Sequence, residues 1–300
     1  MMQERYKKLT EKLIKLTGIT EKVLITEYMI TLQEIHALLE TQYKQYEEDG
    51  KLTFDVMTKH NRLKKFEQGL IDHIVVLNKK VGPTLIKHLK DLYTEGYYTS
   101  AWILETETLT KLAFSAVQVE VLENAIQHNF TGLTLNERLQ AQRNEVILKL
   151  RQVVTSGLHE GQTYHTMAKA IQNQMEMSAT KTMRIVRTEG HRLQESSKHD
   201  STEHAHKNGV RMKKTWNSVG DERVRDAHQD LNGKTIPIDQ EFTSKAGGKG
   251  KGPGMMNKAA DDINDRCFLT YSIEKIEKPQ HAELKDMPLE QWKKERLKNG

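Results

Sequence analysis

Apolar residues spaced three and four positions apart run through the first part of the chain and restrict the fold that it can adopt. One such set is Ile25, Tyr28, Leu32, Ile35, Leu39 and Tyr46. This spacing puts one apolar stripe along a helix, whereas a strand needs alternation with a period of two. It predicts a long helix, capped by Thr20 and ended at Gly50. We interpret the stripe as a seam for helix packing.

Helical patterns continue to about residue 206. The further predicted helices cover about 53–80, 84–105, 109–129, 133–156, 163–176 and 179–206. Gly82-Pro83 is expected to end the first of these, because proline lacks the N–H that a helix interior uses. Thr134-x-x-Glu137 has the form of a capping box, and Ser178 is the expected cap of the last helix.

The pattern changes after Gly209. Alternating apolar residues predict two strands, over 210–216 and 267–274, and Thr235-Ile236-Pro237-Ile238 is typical of an edge strand. A short helix is predicted from Asp221 to Asp230, and the glycine-rich segment 246–254 is predicted to be a flexible loop. A polar tail with a loosely docked helix follows.

These patterns together predict a mostly α protein with a small C-terminal α+β module. A helical N-terminal body is joined by a long helix to a compact domain with a short sheet. The predicted boundaries are 1–130 for the N-terminal helices, 131–206 for a second helical region, 207–276 for the α+β module and 277–300 for the tail.

Composition limits the class of protein. Of 300 residues, 36% are apolar and 29% charged, and no stretch approaches the ~20 apolar residues that span a bilayer. We therefore expect a soluble protein without a membrane partner. Cys267 is the only cysteine, which excludes an intrachain disulfide and a cysteine-rich zinc site. The net charge of +5 arises in residues 181–300, which is compatible with a polyanionic partner.

Widely spaced residues in the last third of the chain form an ordered set that no helix or strand period generates. The set is Arg187, Thr188, Glu189, Trp216, Asp221, Arg223, Arg225, His228, Gly233, Pro237, Asp239, Phe242, Asn264, Arg266 and Cys267. In order and spacing it resembles the Mu F-like phage head morphogenesis family, the minor head proteins of tailed phages, over roughly residues 140–275. We refer to these residues as the signature.

The resemblance implies a structural role in the virion. It implies association with the portal protein, and further contact with the major capsid protein, a scaffold and double-stranded DNA. The expected location is the head interior or portal vertex, with the host cytoplasm during assembly. No cofactor, metal or catalytic residue is expected. The family pattern often ends in Asn-Cys-Arg-Cys, whereas this chain has Asp265 before Arg266, so a role for a cysteine pair is absent.

Three groups of polar residues permit a chemical or a structural interpretation. Asp221, Arg225 and His228 have spacings that share one helix face, where they could bind phosphate or transfer protons. We favour a hydrogen-bonded network. The histidines and acidic residues nearby could hold a metal ion, but we interpret them as solvated helix and surface residues. Those residues are His191, His199, His204, His206, Asp261, Asp262 and Asp265.

Basic residues of the predicted module are candidates for contact with DNA phosphates. They are Arg211, Lys213, Lys214, Lys249 and Lys251. The loop that holds the last two lacks the P-loop sequence, because both lysines precede glycine. Such contacts would be independent of sequence and would weaken steeply with salt.

Two other functions remain open from the sequence. One is a metal-dependent phosphodiesterase or nuclease that uses His228 with Arg223, Arg225 and the Asp261/Asp265 group. Some members of the family carry toxin or enzyme domains after the signature, and the short polar tail argues against one here. The other is a transient helical scaffolding protein, which the seam of the first helix suits but a compact α+β module does not.

Overall fold

The computed structural model describes residues 2–128 and 132–297. Its longer helices, numbered along the chain, are α1 (Met2–Tyr46), α3 (Arg62–Thr108), α4 (Val119–Gln127), α5 (Leu135–His159), α6 (Tyr164–Lys207) and α9 (Leu289–Arg296). The short helices are α2 (Phe54–Thr58), α7 (Asp226–Gln229) and α8 (Ala259–Asp262). The strands are β1 (Val210–Asn217), β2 (Thr235–Pro237), β3 (Phe242–Thr243), β4 (Lys249–Gly250) and β5 (Phe268–Ile276). The chain is thus mostly helical with a small C-terminal sheet, as the patterns predicted.

The chain divides into two compact units. Unit 1 combines residues 1–18, 86–134 and 186–300, and unit 2 combines 19–85 and 135–185. The three longest helices, α1, α3 and α6, each contribute residues to both units. Because unit 1 includes everything after residue 185, it contains all five strands and the signature.

Unit 2 is helical and has an apolar core with a small polar cluster. Ile35, Leu39, Leu150 and Ile171 are fully buried in it. The hydroxyl of Tyr28 lies 2.7 Å from the hydroxyl of Thr182, which also accepts a hydrogen bond from Gln142 at 2.6 Å. Such pairing lets polar side chains lie inside a helical core without the cost of unsatisfied groups.

The predicted helix end at Gly82-Pro83 is wrong, because α3 continues through both residues for 47 residues in total. Leu77, Val81 and Leu85, on either side of the proline, are at most 3% exposed, whereas Pro83 itself is exposed. Burial of such side chains contributes roughly 1.5–3 kcal/mol each, so packing offsets the local cost of about 3 kcal/mol for an interior proline.

Two other predicted helix boundaries are also wrong. Thr20 lies inside α1, which already begins at Met2, and Ser178 lies inside α6, which runs unbroken from Tyr164. Ser178 is 6% exposed, and its hydroxyl lies 3.3 Å from that of Tyr28. Its polar group is therefore satisfied by packing within unit 2, so no cap or break is needed there.

Unit 1 contains a three-stranded antiparallel sheet with the order β2-β1-β5. Trp216 pairs with Leu269, and Lys213 pairs with Pro237 of the edge strand. Alternate residues of β1 are buried, with Trp216 fully so. The predicted strands and the edge position of β2 are confirmed. A second, two-stranded ladder pairs Phe242 of β3 with Gly250 of β4.

The C-terminal helix α9 is more firmly packed than its polar sequence predicted. Trp292 is fully buried, and its indole N–H donates to the carboxylate of Glu105 at 2.8 Å. Arg296 donates to the same carboxylate oxygen at 2.9 Å. An aromatic side chain and a largely buried ion pair thus hold a helix whose remaining residues are half-buried or exposed.

We expect one histidine of unit 1 to make its stability fall in acid. His88 is 6% exposed, and burial lowers its pKa to about 4. Below pH 6.5 the unfolded chain binds a proton that the folded chain does not bind until about pH 4. The free energy of unfolding should therefore fall, by about 2–3 kcal/mol, as the pH falls through this window. Urea unfolding at several pH values measures it, and a His88→Leu variant with the same pH slope would contradict it.

Candidate functional site

The signature residues all lie in unit 1, on α6 and on the α+β module. The buried ones are Thr188, Glu189, Trp216, His228, Phe242 and Cys267. The exposed or half-buried ones are Arg187, Asp221, Arg223, Arg225, Gly233, Pro237, Asp239, Asn264 and Arg266. The signature therefore has an inner part that packs inside the module and an outer part at turns and element ends.

Two outer residues shape turns in the backbone. Gly233 has a φ of +78°, which glycine adopts without strain, and its N–H donates to the carbonyl of Trp216 at 2.8 Å. Asn264 has a φ of +54°, and its N–H donates to the hydroxyl of Thr188 on α6 at 3.3 Å. These residue types are those that tolerate the left-handed region, and here they connect the turns to β1 and α6.

The predicted helix face shared by Asp221, Arg225 and His228 is not present, because α7 spans only Asp226–Gln229. Asp221 lies in a bend and accepts two hydrogen bonds of 2.6 Å from Arg266. Arg225 has extended backbone and donates to backbone carbonyls of the α8 region. Asp221 and Arg266 therefore form an exposed bidentate pair, while His228 points into the module.

His228 lies between two buried carboxylates. Its Nε2 is 3.2 Å from Oδ1 of Asp261, and its Nδ1 is 3.3 Å from Oδ1 of Asp265. Sγ of Cys267 lies 3.5 Å from the same Nδ1. Burial opposes a charge on the imidazole, but hydrogen bonding to Asp265 and Asp261 outweighs it and raises the pKa of His228. Burial, together with Asp265, raises the pKa of the Cys267 thiol well above its usual range.

The three aspartates of α8 and of the segment after it are buried, so the prediction of a solvated acidic surface is wrong. Asp261, Asp262 and Asp265 are 0%, 1% and 5% exposed. Asp262 accepts backbone N–H groups of Met256 and Lys258 at 2.8 and 3.2 Å. Because these donors lie in the segment before α8, adjacent aspartates can both point inward.

Buried polar groups also join α6 to the sheet. Oε2 of Glu195 accepts the backbone N–H of Leu269 at 2.9 Å, and Glu195 also pairs with Lys198. Both side chains are 1% exposed. A second buried pair on α6 joins Arg192 to Glu189 at 2.8 Å.

The glycine-rich segment is a packed hairpin rather than the predicted flexible loop. A Cβ at Gly250 would lie 1.7 Å from the carbonyl oxygen of Met255. At Gly254 it would lie 3.0 Å from Cα of Arg192 on α6. The glycines are therefore needed for close backbone approach, which any larger side chain would prevent.

The basic residues predicted to contact DNA fall into two groups. Lys214 is fully buried, and its Nζ donates to the carbonyl of Lys251 at 2.8 Å, so the structure corrects its assignment to a DNA-facing surface. Burial lowers the pKa of Lys214 to about 8. The other four are exposed or half-buried, and each lies beside a carboxylate: Arg211–Glu277, Lys213–Glu274, Lys249–Glu241 and Lys251–Glu203.

The predicted solvated histidines of α6 are instead largely engaged. His199 is fully buried, and its Nε2 lies 3.1 Å from Nζ of Lys214. Nε2 of His204 lies 2.8 Å from the carbonyl of Leu112, and Nδ1 of His206 accepts the N–H of Met212 at 3.1 Å. His199 also belongs, with Asp200 and Glu203, to a half-exposed group of potential metal ligands.

Comparison with known proteins finds relatives over the region that holds the signature. The family model for Phage Mu protein F like protein matches residues 148–270, which cover most of α6 and of the module. Minor head protein GP7 of Bacillus phage SPP1 is 34% identical over 285 residues, which cover 92% of each chain. The chain belongs to the Mu F-like family of phage minor head proteins.

A second relative carries the name of an enzyme. An NAD(+)--arginine ADP-ribosyltransferase of Enterococcus faecalis is 31% identical over 207 residues. The match covers 69% of this chain but 42% of the transferase, so it concerns less than half of that protein. No solved structure matches the chain. Within residues 2–128 and 132–297, no helix has the length and apolar character needed to cross a membrane.

Several contacts that hold the site together could not be predicted from the sequence. Ser244 donates to Oδ1 of Asp261 at 2.8 Å, although the two are 17 positions apart and belong to no common pattern. The carboxylate of Glu195 accepts the backbone N–H of Leu269, which lies 74 positions further along the chain. Long-range contacts of single polar residues leave no periodicity, so only the fold reveals them.

Proposed function

We propose that this minor head protein acts at the portal vertex of the phage head. There it would join the prohead in few copies and assist assembly and genome packaging or ejection. It would reside in the virion, and in the host cytoplasm while heads assemble. The support is the 34% identity to a minor head protein over 92% of the chain, together with an exposed apolar face on α1.

That face lies in the part of α1 that belongs to unit 2. Ile19, Val23 and Ile30 are 51%, 47% and 39% exposed, and their spacing puts them on one side of the helix. Ile25 and Met29 form a neighbouring row, at 41% and 58% exposure. A helix that is apolar on the core side and on its outer side is usually covered by a partner. We assign the portal protein as this partner, with the major capsid protein and scaffold as the alternatives that the test separates.

The docking face can be tested with charged substitutions at exposed positions. A Val23→Asp/Ile30→Asp variant should lose at least about tenfold in affinity for purified portal protein, because aspartate opposes apolar burial. Met177→Asp is the matched control, since Met177 is 56% exposed in the same unit but lies on α6. Equal portal binding by both variants and the wild type would remove α1 from the interface. Capture of the capsid protein or scaffold instead of the portal would reassign the partner.

Contact with DNA is the second part of the proposal. Arg211, Lys213, Lys249 and Lys251 are available for phosphates, but each must first leave a carboxylate partner. If all four neutralise phosphates, affinity for double-stranded DNA should fall about a hundredfold between 50 and 200 mM salt, whatever the sequence. Absence of binding at low salt, or a salt-insensitive affinity, would exclude the DNA contact.

We propose a structural rather than a catalytic role. His228, the centre of the nuclease alternative, is fully buried, and Arg223 is exposed elsewhere on the module. The buried polar residues of the signature bond to one another and to backbone, which supports a framework that holds the module together. Cleavage of plasmid DNA or RNA in Mg²⁺, Mn²⁺ or Zn²⁺, lost on His228→Gln substitution, would overturn this view.

Copy number separates a minor head protein from a scaffold. Quantitative mass spectrometry of purified proheads and DNA-filled heads should find few copies in both particles. Many copies in proheads and none in filled heads would instead identify a transient scaffolding protein.

A further inference from the structure

Three different metal-ligating side chains converge inside the α+β module. They are His228 from α7, Asp265 from the segment after α8, and Cys267 from the position immediately before β5. One ligand atom from each lies within 4.8 Å of the other two, and all three residues are buried. The set offers a nitrogen, an oxygen and a sulfur atom, a mixture that zinc accepts in protein sites.

The distances among the three side chains are those expected around a tetrahedral ion. Zinc bonds of about 2.0–2.1 Å to nitrogen and oxygen and 2.3 Å to sulfur produce tetrahedron edges of about 3.3 Å and 3.5 Å. Nδ1 of His228 lies 3.3 Å from Oδ1 of Asp265 and 3.5 Å from Sγ of Cys267. The first of these separations exceeds the 2.7–3.2 Å range of good nitrogen–oxygen hydrogen bonds.

The surroundings hold the three ligands in the required orientation. Asp261 lies 3.2 Å from Nε2 of His228, so it can accept that N–H and leave the lone pair of Nδ1 for an ion. Ser244 donates to the same Asp261 oxygen at 2.8 Å. Asp265 is fixed through both oxygens by the N–H groups of Cys267 at 2.9 Å and Gly254 at 3.1 Å.

A second observation independent of the ligand set is an unpartnered donor. Trp216 is fully buried, and its indole N–H has no hydrogen-bond partner among the residues that the structure describes. Its ring lies 5.2 Å from the ring of His228, one of the three ligands. A thiolate bound to a metal accepts such a donor, whereas a neutral thiol is a weak acceptor.

The local charge also favours a cation. Asp261, Asp262 and Asp265 are all at most 5% exposed. The nearby guanidinium of Arg225 donates to the backbone carbonyls of Asp261 and Ile263 rather than to these carboxylates. His228 lies between two of these carboxylates, and Nε2 of His191 lies 4.0 Å from Oδ2 of Asp265. A histidine is charged only when protonated, whereas a bound metal ion would neutralise the buried carboxylates at any pH where it stays bound.

We propose that the module binds one structural zinc ion through His228, Asp265 and Cys267, with Asp261 orienting the histidine. The ion joins α7 to the segment between α8 and β5, so its role is to stabilise the module. This inference does not depend on portal or DNA binding and can fail or succeed separately from them.

The test is metal analysis and cobalt substitution of the full-length protein. After expression with zinc and extensive dialysis, mass spectrometry of the metal content should find one equivalent of zinc per chain. Replacement by Co²⁺ should give the visible bands of a tetrahedral site and a thiolate-to-cobalt charge-transfer band. Chelation should lower the temperature of unfolding. No bound zinc and no cobalt spectrum in the folded wild-type protein would overturn the proposal.

Variants locate the ion within the chain. Cys267→Ser should abolish the charge-transfer band, and His228→Gln should reduce bound zinc to background. Glu203→Gln is the matched control, because Glu203 belongs to the other group of potential ligands, with His199 and Asp200. Loss of zinc from this control, with retention in Cys267→Ser, would place the ion in that other group. The wild-type cobalt spectrum decides the question even if a variant fails to fold.

Discussion

Replacement of Glu195 by alanine is expected to lower the free energy of unfolding of unit 1 by about 4 kcal/mol. The substitution leaves the ammonium group of Lys198 buried at 1% exposure without its carboxylate. It also removes the acceptor for the backbone N–H of Leu269, and an unsatisfied buried donor adds its own cost. Breaking one side of a buried pair is therefore much more damaging than the net contribution of the pair would indicate.

Urea unfolding followed by tryptophan fluorescence measures this loss. The three tryptophans, Trp102, Trp216 and Trp292, all belong to unit 1, so the signal reports that unit. The matched control is Glu274→Ala, which breaks the exposed pair with Lys213 in the same unit. Exposed pairs contribute about 0–1 kcal/mol. A Glu195→Ala variant as stable as the wild type would show that the carboxylate does not hold α6 to β5.

Replacement of Trp216 by alanine should destabilise the module by about 4 kcal/mol, since large aromatic truncations in cores cost 3–5 kcal/mol. Trp216 is fully buried, and its ring lies 5.2 Å from His228 and 5.3 Å from Phe242. Its loss removes contact area from β1 and from both of these signature residues. The effect should appear as a lower urea midpoint, read by circular dichroism or by the two remaining tryptophans.

Val219→Ala serves as the control for Trp216→Ala, because Val219 is 43% exposed just beyond β1. Its expected effect is within about 0.5 kcal/mol, as for most surface substitutions. Equal midpoints for the two variants would mean that the interior of the module does not depend on the indole.

Regular elements of this fold could be predicted from the sequence because their periods are local. The alternation in Val210, Met212 and Trp216 identified β1, and the proline of β2 indicated an edge strand, as the sheet order confirms. Helix ends were less predictable. Pro83 and Ser178 lie inside helices, because buried side chains on either side of them outweigh local preferences.

The candidate site could be predicted only in part. The order of the signature indicated the family, and the comparisons confirm that membership. The surroundings of the signature could not be predicted, because they depend on tertiary contacts. Asp261 and Asp262 were expected on the surface, since adjacent residues of a helix diverge. They are buried because α8 has only four residues and donors from neighbouring loops surround it.

The division of the chain into two units has a consequence for its synthesis. Unit 1 takes its parts from the first 18 residues, a middle segment and everything after residue 185, whereas unit 2 ends at residue 185. On the ribosome, unit 2 can therefore be completed first. The beginning of α1 must wait roughly 13–50 s for the module that it packs against, at 5–20 residues per second. During that interval its apolar residues, such as Tyr6 and Leu9, are open to chaperones and to other nascent chains.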